Sequence, residues 1–328
     1  MLVALTGASG HIGGAVVRQL LADGHSVRAL VHRDDASLRS LPVEQVRGSI
    51  AQMDALQRLC EGAELVHHLA SRISIGEIPE KELRRANVDG AINVLAACQS
   101  AGVRRLIYYS SVHAFHAVPK TEVFDESAPP ATAFPYERSK AAAQAIILAA
   151  NGAHGLETIS LNPTAVLGPW DFKPSLQGHM VLDLLHGRIP RLTPGGFDWV
   201  DNRDIARAAI AAMSKGRPGE AYILSGRYAT MLELASLIGQ IAGRPMPTRT
   251  VPFGLLKTLS PLFRAWSRLS GRQPLFTREA LSHVELGHPR VSSAKAVRDL
   301  GYTARPLEVT LQDSIAWFQQ QGLYEKGK

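Results

Sequence analysis

The stretch Leu2-Val3-Ala4-Leu5-Thr6-Gly7-Ala8-Ser9-Gly10-His11-Ile12-Gly13, read with the residues just after it, decides the fold. Residues 2–6 are a short apolar run, the composition of a strand buried on both faces of a parallel sheet. After the glycines, Ile12, Val16 and Leu20 recur at four-residue spacing and Val17 and Leu21 widen the stripe, which predicts an amphipathic helix over 11–22. Gly24 is placed to end that helix, and 26–31 (SVRALV) resumes strand character. Between strand and helix, Gly7 permits a tight turn, Gly10 lets a pyrophosphate approach the backbone, and Gly13 lets the helix sit close to the sheet. The N–H groups at the start of such a helix favour negative charge. Thr6, Gly7, Ser9, Gly10, His11, Ile12 and Gly13 are therefore candidate cofactor-binding residues. The spacing is GxxGxxG rather than GxGxxG, and three glycines alone would also suit a purely structural turn. Their place between an opening strand and an amphipathic helix favours a dinucleotide.

The alternation continues down the chain. Residues 54–60 predict a helix, 64–69 a buried strand, and 82–100 a long helix with Val88, Ile92 and Leu95 on one face and Leu83 extending it backward. A strand at 103–109 (VRRLIYY) follows, then a helix from about Tyr136 to 150, and a strand at 156–161 ended by Asn162-Pro163. Strands alternating with helices need crossover connections, so the fold class is α/β: a Rossmann-type parallel sheet sandwiched by helices. After about residue 165, turn-prone pieces such as Gly168-Pro169 and Thr193-Pro194-Gly195-Gly196 separate shorter apolar segments. This predicts a mainly dinucleotide-binding domain over 1–165 and a smaller, mainly substrate-binding lobe over 166–328. Segments around 200–228, with a helix at 203–213 and a strand near 221–224, return to the main domain. Helices are also expected at 230–242 and 307–320, the latter with Leu311, Ile315 and Phe318 on one face.

Composition narrows the function classes. The chain has 328 residues, enough for one large domain and an attached lobe. Two cysteines, Cys60 and Cys98, form no CxxC pair, which argues against a disulfide framework or a thiolate zinc site. The net charge of +7 could steer anionic phosphates or a membrane surface, but the basic residues are scattered and match no nucleic-acid-binding signature. No secretory signal and no apolar run of membrane-spanning length is visible, so a cytoplasmic protein without a transmembrane span is expected.

At the end of the second strand stand His32 and Arg33. An acidic residue near this point would contact the ribose hydroxyls of NAD, whereas arginine accommodates a 2′-phosphate, so Arg33 favours NADP(H), with His32 assisting. Asp34 or Asp35 turned inward would instead suit NAD(H), which stays open.

Tyr136 and Lys140 are four residues apart on a predicted helix and so share one face. An ammonium beside a phenol would stabilise phenolate and lower the tyrosine pKa. Ser110 and Ser111 end a buried strand, and either hydroxyl could reach the same cleft. Taken alone, YxxxK is common, and Tyr136 packing its ring while Lys140 enters solvent is an equal reading.

Taken together, TGASGHIG at 6–13, YYSS at 108–111, YERSK at 136–140, RANVDG around Asn87, NPTAVLGP at 162–169 and VDNRDIA at 200–206 resemble the extended short-chain dehydrogenase/reductase family. The resemblance runs over nearly the whole chain, and its nearest flavour is the branch of dihydroflavonol reductases, hydroxysteroid dehydrogenases and NAD-dependent epimerase-dehydratases. It implies that Ser111, Tyr136, Lys140 and Asn87 are catalytic. Tyr136 would exchange a proton with the substrate oxygen, Ser111 would bind the developing alkoxide, and Lys140 would hold the nicotinamide ribose. Asn87 would support a water-mediated proton path. It further implies that Ser49 lies near the adenine, where the family often has Gly-Asp and this chain has Gly48-Ser49, and that Ala70 and Pro163 lie near the nicotinamide.

The substrate half is less legible. Trp170, Phe172, Phe197 and Trp199 could line an apolar pocket or serve ordinary packing. Lys257, Arg264, Arg268 and Arg272 suit a phosphorylated substrate, peripheral contact with an anionic membrane, or a solvated helix face equally. His67 and His68, adjacent on a strand, should point to opposite sides. His113 and His116 lie near the active-site loop with no carboxylate or cysteine nearby in sequence, so no metal is predicted. A small-molecule carbonyl or alcohol substrate is the first reading, a sugar-nucleotide epimerase or dehydratase the second, and a noncatalytic dinucleotide sensor the third. A homodimer rests on family analogy alone.

Overall fold

Val3, Ala4 and Leu5 of the first strand are all fully buried, as a strand covered on both faces requires. The computed structural model describes residues 1–33, 35–74, 78–258 and 277–325. In chain order the first strands are β1 (Leu2–Thr6), β2 (Ser26–Val31), β3 (Glu44–Arg47), β4 (Leu65–His68), β5 (Arg105–Tyr109) and β6 (Glu157–Pro163). They are followed by β7 (Ala165–Leu167), β8 (Gly196–Asp201), β9 (Ala221–Leu224) and β10 (Arg227–Thr230). A seven-stranded sheet runs β3-β2-β1-β4-β5-β6-β9, every pairing parallel, and a smaller sheet runs β10-β8-β7.

Strand side chains alternate between faces, and each face has its own core. Val3 and Leu5 point to α1 (His11–Ala22) and, further along the chain, α7 (Asn202–Ser214). Ala4 and Val66 point to α2 (Met53–Cys60), α4 (Gly90–Ser100) and α5 (Pro135–Ala149). Val16, Val17 and Leu20 of α1 are fully buried, each worth about 1.5–3 kcal/mol over an exposed side chain. A third core, under the small sheet, joins α6 (Leu176–Leu185), α8 (Met231–Ala242) and α11 (Leu307–Gln320), with Leu311, Ile315 and Phe318 inside it as predicted. Two more helices, α9 (Arg278–Leu286) and α10 (Ala294–Leu300), lie in the C-terminal part. β9 pairs with β6, so the chain does return to the main sheet after leaving it.

Three expectations change. β3 is absent from the sequence reading: it is an edge strand paired only with β2, three of its four side chains are exposed and Val46 alone is partly buried, so it carries no hydrophobic alternation. β6 runs through Asn162 and Pro163, which pair with Ile223 and Leu224; proline is tolerated there as the last residue of the strand. The long helix is α3 (Glu80–Arg84), then a π turn over Arg85–Asp89, then α4. That turn adds a residue and rotates the helix face, so Ala91 and Val94 are buried where the 3.6-residue period had placed Ile92, which is 41% exposed.

Candidate active site

The turn between β1 and α1 is a cradle only glycine can form. Gly7 has φ +71°, and a Cβ on it would stand 2.6 Å from the Ala70 nitrogen; a Cβ on Gly13 would stand 2.1 Å from the Gly7 oxygen. Gly10 is the N-cap of α1 and makes no side-chain cap bond, so the first N–H groups of the helix face outward without intrahelical acceptors. This donor set at a helix N-terminus fits a pyrophosphate. Thr6 shapes the cradle from beneath: its hydroxyl pairs with His68 Nδ1 at 2.7 Å and accepts the Ala70 N–H at 3.3 Å. The Ser9 carbonyl accepts the Ser37 hydroxyl at 3.2 Å, His11 Nε2 pairs with the Gly168 carbonyl at 3.1 Å, and Ile12 is half-buried.

His32 and Arg33 are exposed at the end of β2. Asp35 is committed elsewhere: Arg39 and Arg47 bind its oxygens at 3.0 and 2.6 Å and hold its carboxyl below the usual range. Asp34, the other acid weighed for NAD, lies outside the described residues. Ser49 is folded into a local turn, its hydroxyl accepting the Ala51 N–H at 3.3 Å. Pro163 is buried at the end of β6.

Beyond β5, the Ser111 hydroxyl accepts the His113 N–H at 3.1 Å and caps a short 3₁₀ turn over Val112–Ala114. A hydroxyl has one hydrogen to donate, and this bond leaves it available toward Tyr136. Tyr136 sits in the first turn of α5, whose opening residue is Pro135. Burial pushes its phenol up to about 12; the Ser111 hydrogen bond works against that shift and the Glu279 carboxylate adds to it. Lys140, 1% exposed, donates from Nζ to the Tyr109 carbonyl at 2.7 Å and stands 4.9 Å over the Tyr108 ring. Burial without a carboxylate partner pulls its ammonium down to about 7. The expectation that Lys140 lowers the Tyr136 pKa is therefore corrected: desolvation governs both groups, and Tyr136 is held protonated.

Asn87, in the π turn, is a positioning residue. Its oxygen accepts the Arg72 N–H at 2.7 Å, while its amide nitrogen donates to the Arg72 carbonyl and to Ser139 Oγ, both at 2.9 Å. Ser139 in turn donates to the Tyr136 carbonyl at 2.7 Å. The amide is fully engaged in fastening the loop after β4 to the helix that carries Tyr136 and Lys140. Asn162 does similar work from the other side. It donates to the Ser111 carbonyl at 2.8 Å and to Gln144 Oε1 at 2.6 Å. Sequence reasoning named it only as a strand end, though its place within NPTAVLGP was a signal.

A pocket opens beside these groups, with Val112, Phe115, Phe124 and Phe197 among its apolar walls and His113, Glu137, Asp198 and His283 among its polar ones. Of the aromatic residues weighed for this pocket, Phe197 alone lines it. Trp170 and Phe172 lie under the Arg18 guanidinium, and Trp199 is buried with its indole N–H on the Ala229 carbonyl. Lys257 pairs with Glu285; Arg264, Arg268 and Arg272 lie outside the described residues. His67 and His68 do face apart, one to the Tyr109 hydroxyl and one to Thr6. The carboxylate missing beside His113 in the sequence is supplied by the fold as Glu137, together with His283. Among the described residues no helix is long and apolar enough to cross a membrane.

A parallel sheet with a glycine cradle at one strand end, a serine after a neighbouring strand, and a tyrosine and lysine on the adjoining helix is the arrangement of the extended short-chain dehydrogenase/reductase type. Residues 3–225 match the NAD dependent epimerase/dehydratase family, and the chain belongs to it. It is 33% identical to sterol demethylase protein B of Methylococcus capsulatus, over 98% of this chain and 100% of that protein. It is 31% identical to a putative dihydroflavonol 4-reductase of Synechocystis, over 97% and 94% of the two chains. The crystal structure of gox2253 superposes with a TM-score of 0.86 at 31% identity, covering 99% of each chain.

Proposed function

We propose that the protein is an NADP(H)-dependent carbonyl reductase, reversible as an alcohol dehydrogenase, acting on a small or medium hydrophobic substrate. The observation that carries this reading is a buried, protonated Tyr136 with Ser111 beside it, next to a pocket walled largely by aromatic and aliphatic side chains. A bound nicotinamide supplies or takes the hydride. Gly7, Gly10 and Gly13 hold the pyrophosphate, Arg33 the 2′-phosphate, and the remaining N–H groups of Lys140 the ribose. The Ser111 hydroxyl donates to the substrate oxygen and stabilises the negative charge that grows there. Tyr136 delivers its proton to that oxygen. At neutral pH the Tyr136 phenol carries the proton that reduction needs, and oxidation requires that proton to be removed first.

Relatives named for a sterol and a dihydroflavonol support a ring-fused, mostly apolar substrate. A sugar nucleotide suits the pocket less well, because Glu137 and Asp198 in its wall would oppose a diphosphate. The test follows loss of reduced-nicotinamide absorbance with polycyclic ketones, aliphatic ketones and UDP-sugars in parallel. Tyr136→Phe should lower kcat by about 10²–10⁴-fold while NADPH binding persists. Conversion of a UDP-sugar with retained cofactor and no net NADPH consumption would overturn the reading in favour of an epimerase.

A further inference from the structure

Three side chains at the pocket wall and a fourth close behind them come from three distant parts of the chain, and the redox step above uses none of them. His113 stands in the 3₁₀ turn after β5, Glu137 in the first turn of α5, and Glu279 and His283 one helical turn apart on the same face of α9. Donor atoms of His113, Glu137 and His283 all lie within 4.8 Å of one another. Glu137 uses Oε2 to accept the Phe134 N–H at 3.2 Å, which leaves Oε1 aimed at His283 Nε2, 3.1 Å away. The His113 ring stacks on that of His283 with centroids 4.4 Å apart.

A simple Glu137–His283 pair accounts for two of the four. Among the described residues no hydrogen bond reaches either ring nitrogen of His113. Glu279 is 6% exposed, and its Oε1 is buried with no partner among the described residues while its carboxylate feels the charges of His283 and Glu137. Buried polar atoms left without partners are costly unless something else satisfies them.

We propose that His113, Glu137 and His283 form a binding site for a divalent transition-metal ion of the Zn²⁺ type, with its fourth position left open. Two imidazoles and one carboxylate are a donor set such ions favour, and the Glu279 carboxylate nearby adds a second negative charge. Zn²⁺ holds nitrogen and oxygen ligands at about 2.0–2.2 Å, so adjacent donors in a tetrahedron stand roughly 3.4 Å apart, and side-chain rotations of about an ångström close the present cluster. The His283 Nε2 proton gives way to the metal, and Glu137 Oε1 keeps its place with a new partner. An ion there would pin α9 across the substrate pocket onto the helix that carries Tyr136. It would touch neither the glycine cradle nor the Ser111 hydroxyl, so binding is measured independently of any turnover.

The test is calorimetric titration of the full-length, chelator-treated protein with Zn²⁺, and absorption spectroscopy with Co²⁺ as the probe. One equivalent per chain is expected, with the d–d bands of a low-coordinate Co²⁺ complex. His283→Gln, His113→Gln and Glu137→Gln should each weaken binding at least about tenfold and erase those bands. His288→Gln should bind as the unaltered protein does. That histidine lines the same pocket, but its ring is already held by the Pro119 carbonyl and the Arg290 N–H. Retained NADPH binding certifies the fold of each variant, and the three ligand variants test the site separately. No saturable binding, or binding that survives the three ligand substitutions, would overturn the proposal and leave the cluster a hydrogen-bonded wall of the substrate pocket.

Discussion

Replacing Lys140 by methionine should destroy catalysis and yet stabilise the cofactor-free protein. The ammonium is 1% exposed and burial draws its pKa from 10.5 to about 7. At 1.36 kcal/mol per pH unit, carrying that charge inside costs about 4–5 kcal/mol at neutral pH. Methionine, of similar length and shape, avoids this cost but leaves the Tyr109 carbonyl without its 2.7 Å donor, a loss of about 1–3 kcal/mol. The net gain is about 2 kcal/mol, or about 3 °C in Tm for a chain of this length. The sign with pH follows from the depressed pKa of a cation. Between pH 7 and 10.5 the unfolded chain binds the proton that the folded protein has released, so the wild-type protein gains stability as pH rises. From pH 7 to 9 that gain is about 2 kcal/mol, and the advantage of the variant should vanish. Thermal unfolding of both cofactor-stripped proteins at pH 7 and pH 9 measures the difference directly. A variant less stable than wild type by the same amount at both pH values would refute the claim that the lysine is held in the site against its own solvation.

Three further outcomes follow from the same geometry. Gly13→Ala places a methyl 2.1 Å from the Gly7 oxygen; the cradle must shift, and titration should show NADPH affinity falling with roughly 1–3 kcal/mol of lost stability. Arg33→Ala should weaken NADP(H) by about tenfold to a hundredfold in KM while leaving NAD(H) nearly unchanged, and equal loss for both would place the 2′-phosphate elsewhere. Asn87→Ala strips partners from Arg72 and Ser139, so urea unfolding should reveal a destabilisation of roughly 2–4 kcal/mol, with kcat reduced and NADPH affinity largely kept.

Much of the fold was legible because its signals are local. The helix 11–22 and the strand 26–31 coincide with α1 and β2 to the residue, since apolar spacing and the flanking glycines report on their own neighbourhood. The places where the reading slipped are those where no local signal exists. β3 has no buried face to write into its sequence, and the π turn at Asn87 shifts the helical phase without altering composition. At the site, the glycines, Ser111, Tyr136 and Lys140 were recognisable as motifs, but the direction of their pKa shifts was not. Those depend on how much protein covers each group, and both Tyr136 and Lys140 are far deeper than a helix-surface pair would be.

By itself, the sequence determined the parallel-sheet architecture and the glycine cradle and singled out Ser111, Tyr136 and Lys140 as candidate reacting side chains, because periodicity, turn chemistry and i, i+4 spacing act within a few residues. Only the tertiary structure decided that Asn162 steadies Ser111, that Phe197 faces the pocket while Trp170 does not, and that His113, Glu137 and His283 meet. Those three are separated by up to 170 positions, and no pattern along a chain encodes a contact made only when two lobes fold against each other.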